Sequence, residues 1–203
     1  LRLNIVTNHP VAYESQDHIE PKGAANDNTK NETYVKEVIE LFNGKVSYCD
    51  IGCSGGGFVA QFLEQGQIAV GVEGSDHPLK NKRAEWATIP DNLFTADVTK
   101  PWYFEDESGS KFQFDVISAY DVMEHIKAED LDKVIEGIKS NLKPGGLFLA
   151  SIATFQDEGY HHTLEEKPWW DKLFAKHGFI DYTNKSIKTY GRNSSFQVTY
   201  KLW

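Results

Sequence analysis

The chain has 203 residues, of which 40 % are hydrophobic and 25 % charged. That composition suits a globular chain long enough to bury a core of its own, and it excludes an intrinsically disordered one. Lys and Arg number 21 against 30 Asp and Glu, and the net charge of -9 argues against nucleic acid or an anionic membrane as partner. No apolar run reaches the roughly 18 residues of a membrane-spanning helix. Leu1-Arg2-Leu3-Asn4-Ile5-Val6 is too short an apolar run for a signal-peptide core. Position 1 is not Met, which points to a trimmed chain or a fragment. Cys49 and Cys53, four apart, do not make a disulfide framework, so reduced thiols and a cytoplasmic location are expected. The Asn-x-Ser/Thr triplets at Asn31, Asn184 and Asn193 carry no meaning without secretion.

In chain order, residues 1–30 are polar and irregular and are expected to form an extended arm, a lid over the site mouth. Thr29 with Glu32 reads as a capping box for a helix through Tyr34, Val35, Val38, Ile39 and Phe42, ended by Gly44. From Lys45 onward strands and helices alternate. Val46–Ile51 is a strand, Phe58–Gln65 a helix, Ile68–Val72 a strand, Leu93–Ala96 a weaker strand and Phe114–Ser118 a fourth. Leu131, Val134, Ile135, Ile138 and Leu142 step at helical spacing, and Pro144-Gly145-Gly146 is expected to stop that helix. Leu147–Ile152 is a fifth strand and Trp169–His177 a helix closed by Gly178. Phe179–Tyr182 and Phe196–Leu202 are two last strands, antiparallel to each other. The alternation predicts an α/β, doubly wound, mostly parallel sheet with helices on both faces. No long linker interrupts it, so residues 1–203 are expected to form a single domain, with 1–30 as arm and 45–203 as α/β core.

The informative segment is Asp50-Ile51-Gly52-Cys53-Ser54-Gly55-Gly56-Gly57-Phe58, between the first core strand and its helix. Glycines there let the chain turn sharply and let a ligand approach the main chain. The loop is not a P-loop, for it lacks the Gly-Lys-Ser/Thr ending. Asp50 closes the strand before the glycines, where it would repel a pyrophosphate and attract an amino group. Glu73 ends the second strand, 23 residues on, where an acid binds ribose hydroxyls in adenine-cofactor sites. Asp97 follows the third strand, placed for an adenine amino group. Three acids at successive strand ends suit a ligand with an amine, a ribose and an adenine.

These residues resemble the class I S-adenosylmethionine-dependent methyltransferases. Asp50-x-Gly52-x-Ser54-x-Gly56 is similar to the first motif, with Ser54 where the family often has Gly. Val72-Glu73-Gly74-Ser75 is similar to the second and Ala96-Asp97-Val98 to the third. Phe114–Ser118 with Asp121-Val122-Met123-Glu124-His125-Ile126, and Leu142-Lys143-Pro144-Gly145-Gly146, resemble the fourth-strand motif and the turn before strand five. The resemblance covers residues 45–153 in register. It implies a Rossmann-like, seven-stranded sheet of order 3-2-1-4-5-7-6. It also implies a cofactor site of Asp50, Gly52, Cys53, Ser54, Gly56, Glu73, Gly74, Asp97, Val98 and Tyr120, with S-adenosylhomocysteine as product.

The expected reaction is methyl transfer to a small-molecule acceptor at a hydroxyl oxygen, with His125 and His162 as candidates to take its proton. His161, beside His162, lies in the same polar loop. Nitrogen- or carboxyl-directed transfer stays open, as does binding of the cofactor without transfer. A nicotinamide dehydrogenase is disfavoured by Asp50 and by a loop that is not Gly-x-Gly-x-x-Gly. Asp121, Glu124 and His125 could hold a divalent ion. The spacing resembles ubiquinone-pathway O-methyltransferases, where a metal is implicated, yet Glu-His is widespread in relatives that use none. Metal use is left open, as is oligomeric state.

Overall fold

The computed structural model describes residues 1–183 and 195–203. The triplets at Asn184 and Asn193 lie outside them. A seven-stranded sheet forms the centre. Its strands are β2 (Ser47–Ile51), β3 (Ile68–Glu73), β4 (Leu93–Thr95), β7 (Phe114–Tyr120), β8 (Leu142–Ala153), β9 (Phe179–Asp181) and β10 (Ser195–Leu202). The spatial order is β4-β3-β2-β7-β8-β10-β9. Counted by the sheet's own strands this is 3-2-1-4-5-7-6, the order the resemblance implies. β4, β3, β2, β7 and β8 pair in parallel, and β10 runs antiparallel to both neighbours.

The two faces follow from the period-two alternation of strand side chains. Tyr48, Val116, Leu147 and Leu149 point to one face, against Tyr34, Val35 and Val38 of α3 (Glu32–Leu41) and Phe58, Val59 and Phe62 of α4 (Gly57–Glu64). Cys49, Ile51, Ile117, Phe148 and Ile152 point to the other. They meet Leu131, Val134, Ile135 and Ile138 of α6 (Ala128–Asn141) and Trp170 and Phe174 of α7 (Lys167–Lys176). Burying aliphatic and aromatic side chains on both faces, at about 25 cal/mol per Å², drives the assembly. Between a central strand and its neighbours a side chain such as Asp50 has no route to water except at the strand's C-terminal end.

Three sequence expectations change. The arm is not simply irregular: β1 (Leu3–Thr7) pairs antiparallel with β5 (Trp102–Asp106), which pairs with β6 (Lys111–Phe112) in a second, three-stranded sheet. Two short helices follow in the arm, α1 (Gln16–Ile19) and α2 (Gly23–Asn26). The cap of α3 is Asn31, whose side chain accepts from the Tyr34 N–H at 3.1 Å, and not Thr29. Asn is as good an N-cap as Thr, and it sits at the residue where the backbone turns extended. Finally, α6 ends at Asn141, before Pro144. The buried Asn141 amide donates to the Trp102 and Gly137 carbonyls, and Leu142 already pairs with Phe114 of β7. Among the described residues no helix is long and apolar enough to cross a membrane.

Candidate functional site

A cavity of about 600 Å³ opens beyond the C-terminal ends of β2, β3 and β7. That is the switch region where ligands bind in open α/β sheets, and the volume suits a nucleoside-sized ligand with room beside it. Its lining includes Asp50, Gly52, Cys53, Ser54, Glu73, Gly74, Asp97, Val98, Tyr120, His125 and His162. Of the sequence candidates only Gly56 stays off the wall.

Asp50 is the penultimate residue of β2 and is buried. Ser118 Oγ donates to its Oδ1 at 2.6 Å, and the Tyr48 hydroxyl lies 2.6 Å behind Ser118 Oγ. Since the Ser118 proton goes to Asp50, Tyr48 is the donor of the second bond. Glu73 ends β3 and is also buried. Its Oε2 accepts from the Ser54 N–H at 2.8 Å and its Oε1 from the Ser75 N–H at 3.1 Å. Burial lifts both carboxyls to about 7, against the pull of these hydrogen bonds. The protein thus holds two buried acids that cost free energy to ionise, and a bound cation would offset that cost. This fits a ligand bearing a positive amine and sulfonium.

The glycine loop is shaped by packing as much as by ligand access. Gly52 has φ +68° and its N–H donates to the Val72 carbonyl at 2.7 Å, while a Cβ there would strike Val122. Gly56 is the left-handed N-cap of α4, with φ +87°. A Cβ on it would lie 2.8 Å from Leu93 Cδ1 and 3.2 Å from Glu85 Cβ. The positive φ and these contacts with the body of the fold each call for glycine at this position. Cys53 packs on β3, where a Cβ on Gly71 would meet its Sγ at 2.7 Å. Burial pushes its thiol well up, and both cysteines are free. It is a filler that faces the cavity and not a nucleophile.

Asp97 carries one oxygen engaged in a local turn, Oδ1 accepting from Thr99 N–H and Oγ1. Its backbone N–H donates to the His9 carbonyl, and the Ala12 N–H donates to the Gly74 carbonyl at 2.8 Å. These two bonds lay the arm across the ends of β3 and β4. Val98 is part-buried against the core. The Tyr120 ring stands edge-on to Tyr34, with centroids 5.5 Å apart.

The arm supplies the other side of the cavity, through Glu14, Gln16, Asp17, Lys22, Gly23 and Asp27 among others. Asp17 accepts from the N–H groups of Lys22, Gly23 and Ala24 and so fixes the start of α2. Lys22 pairs with Asp157 at 2.6 Å, and the Tyr160 hydroxyl donates to the Glu20 carbonyl at 2.9 Å. These contacts join the arm to the loop after β8, and both segments line the cavity. Asp157 and Tyr160 belong to a loop, and loop residues have no periodicity that would place them from the sequence.

His125 belongs to the turn after β7, and His161, not His162, stands beside it, the two rings 4.7 Å apart edge to face. His161 is buried and its Nδ1 lies 2.6 Å from the Phe155 carbonyl. A carbonyl only accepts, so Nδ1 is the donor of this bond. Burial, followed by the charge of His161, lowers His125 to about 4, which keeps it neutral near pH 7. The His162 side chain is exposed, and its backbone N–H donates to the Glu124 carbonyl. Donor atoms of Glu124, His125 and His161 lie within 4.8 Å of one another, the grouping among the described residues that could hold a metal ion. Asp121, which the sequence grouped with Glu124 and His125, accepts instead from Ser151 Oγ at 2.7 Å.

Residues 19–201 match the methyltransferase domain family. The chain belongs to that family. S-adenosylmethionine, the ligand that the strand-end acids and glycine loop lead one to expect, is the cofactor that this family uses. The ubiquinone biosynthesis O-methyltransferase of Pasteurella multocida (strain Pm70) is 26 % identical over 125 residues, 59 % of this chain and 50 % of that protein. The chain thus spans about half the length of the curated relative it matches. Among solved structures, the PH0226 protein of Pyrococcus horikoshii OT3 superposes with a TM-score of 0.62 at 18 % identity, covering 85 % of this chain and 89 % of that one. The 1,6-didemethyltoxoflavin-N1-methyltransferase of Burkholderia thailandensis, solved with 1,6-didemethyltoxoflavin and S-adenosylhomocysteine bound, superposes with a TM-score of 0.60 at 15 % identity, covering 92 % and 84 %. At those identities the structural likeness is one of fold.

Proposed function

We propose that this chain transfers the methyl group of S-adenosylmethionine to the hydroxyl oxygen of a small-molecule acceptor. The observation that carries the reading is the pair of buried acids, Asp50 and Glu73, at the ends of adjacent parallel strands, with a glycine loop between them and a cavity beyond. When bound, the cofactor supplies an electrophilic sulfonium methyl and leaves as S-adenosylhomocysteine. Asp50 answers its amino group and Glu73 its ribose hydroxyls, each carboxylate keeping lone pairs beyond the bonds it already accepts. Asp97 faces the adenine with its remaining oxygen. Cys53, Gly74, Val98 and Tyr120 give the walls, and Gly52 and Gly56 hold the loop.

The acceptor lies toward His125, Tyr160 and His161, on the far side of the cavity from β4. A neutral His125 is suited to hold the acceptor's hydroxyl by its lone pair, and the exposed His162 is the second candidate to take the proton. The arm and the loop around Tyr160 exclude water from the transfer. The oxygen acceptor draws support from the ubiquinone-pathway relative, a protein whose name states O-methyl transfer. Residues 1–203 act as one domain in this reading, residues 1–30 forming its lid. The free thiols support a cytoplasmic location, and the net charge of -9 supports an acceptor other than nucleic acid.

A panel of hydroxyl, amine and carboxyl acceptors, scored by S-adenosylhomocysteine formed, tests the proposal. A hydroxyl compound is expected to turn over fastest, chelator to leave the rate unchanged, and His125→Ala or His162→Ala to lower it by roughly 10²–10⁴-fold. Faster turnover of amines would move the acceptor to nitrogen. Cofactor binding with no product from any acceptor would favour a protein that binds without transfer.

A further inference from the structure

Ser54 stands in the glycine loop at φ +45°, in the left-handed region that glycine occupies without strain. A residue that only filled the loop would be expected to be glycine there. The serine instead connects four parts of the molecule. Its N–H donates to Glu73 Oε2, and its carbonyl accepts from Trp86 Nε1 at 2.7 Å. Its hydroxyl lies 2.7 Å from the Gly23 carbonyl and 2.8 Å from the Asp27 carbonyl. Arg83 Nη2 donates to that hydroxyl at 2.7 Å.

Arg83 continues the connection. Its Nε donates to the Ala24 carbonyl at 2.9 Å, and its Nη2 also donates to the Asp27 carbonyl. Carbonyls in the last turn of a helix have no partner inside it, and those of Ala24 and Asp27 meet Arg83 and Ser54, while the Gly23 carbonyl already accepts from the Asp27 N–H at 2.9 Å. The Gly55 N–H donates to Asp27 as well, at 3.1 Å. Residues 23–27 are therefore held to the glycine loop by three donors, two of them side chains.

We propose that Ser54 and Arg83 are positioning residues for cofactor binding, a clamp that holds residues 23–27 of the arm on the glycine loop and orients Glu73 through the Ser54 N–H. The inference rests on the cofactor site proposed above. Gly23, Ala24 and Asp27 line the same cavity as Glu73, so a loose arm would leave one wall of that cavity open. The planar fork of Arg83 reaches two carbonyls and a hydroxyl together, which a lysine in its place cannot do.

Four variants test it: Ser54→Ala, Ser54→Gly, Arg83→Ala and the double Ser54→Ala/Arg83→Ala. The readouts are tryptic cleavage after Lys22 and calorimetric titration with S-adenosylmethionine. Both Ser54 variants are expected to cleave faster and to bind the cofactor about tenfold more weakly, the worth of a lost hydrogen bond or two. KM for the cofactor should rise by more than kcat falls. Ser54→Gly also removes the backbone strain, so a well-folded variant is assured even where Ser54→Ala folds poorly. The double variant should bind no worse than Arg83→Ala, since the hydroxyl acts through the same clamp.

Ser54→Gly with wild-type cleavage and wild-type affinity would overturn the proposal, as would full additivity of the two single losses. Failure of the wild-type protein to bind S-adenosylmethionine would overturn the cofactor reading itself, and the cleavage rates alone would then decide the clamp.

Discussion

Asp50 and Glu73 make the stability of the fold depend on pH. Both are lifted by burial, from 3.8 and 4.5 to about 7. The folded protein therefore binds more protons than the unfolded chain between about pH 4 and pH 7. Their ionisation destabilises the fold above about pH 7, and acidification toward pH 5 relieves it. Thermal melts without ligand should show a higher midpoint at pH 6 than at pH 8, and a midpoint that rises with pH across this range would contradict the burial. Affinity for the cationic cofactor should run the other way and strengthen as pH rises through 7, because ionised Asp50 is what the amine meets and ionised Glu73 is the stronger acceptor for the ribose hydroxyls. Gly56 gives a second residue-scale expectation. Gly56→Val should lower the melting temperature, because φ +87° and the contact with Leu93 both oppose a branched side chain. Normal stability with lost binding would mean that the loop, not the core, needs this glycine.

Among the elements, the arm divides into two parts with different duties. β1 adds a strand to β5 through pairs from Leu3 with Asp106 to Thr7 with Trp102, and Leu3 is buried in the core with Trp102 and Phe104. Residues 12–29 mostly line the cavity. Deleting residues 1–8 should cost stability, read by chemical denaturation. Replacing residues 14–20 by a short Gly/Ser linker should reduce cofactor affinity and activity with a smaller loss of stability. Equal loss from both changes would make the whole arm structural. The sequence did not reveal this division. Leu3–Thr7 and Trp102–Asp106 are short runs, and each becomes a strand only when its partner, about a hundred residues away, pairs with it. The cap of α3 is hidden in the sequence for a related reason: Thr29 and Asn31 are both good caps, and only the path of the chain over Gly57 chooses between them. Long periodic segments such as Leu131–Ile138 were legible because their apolar spacing is a property of the segment alone.

At the scale of the molecule, the parallel sheet and its two helical layers were legible because both strand and helix patterns need a core on each side of the sheet. The cavity wall that carries Asp50 and Glu73 was legible for the same reason. Asp50, Glu73 and Asp97 close strands whose C-terminal ends must share one edge of a parallel sheet. The wall that carries His161, Tyr160 and Asp157 was not, since these residues come from a loop whose position depends on the arm it meets. His162 was chosen over His161 on sequence, where nothing separates adjacent histidines. The burial of one beside His125 and the exposure of the other separate them in space. The central claim is that the cavity beyond β2 and β3 holds S-adenosylmethionine through these acids. Calorimetric titration of the wild-type protein and of Glu73→Ala with S-adenosylmethionine at pH 8 tests it most directly. One site per chain is expected in the wild type, weakened by about 1–3 kcal/mol in the variant as its ribose and N–H partners lose their acceptor. An unchanged affinity in Glu73→Ala, or no binding by the wild type, would contradict it.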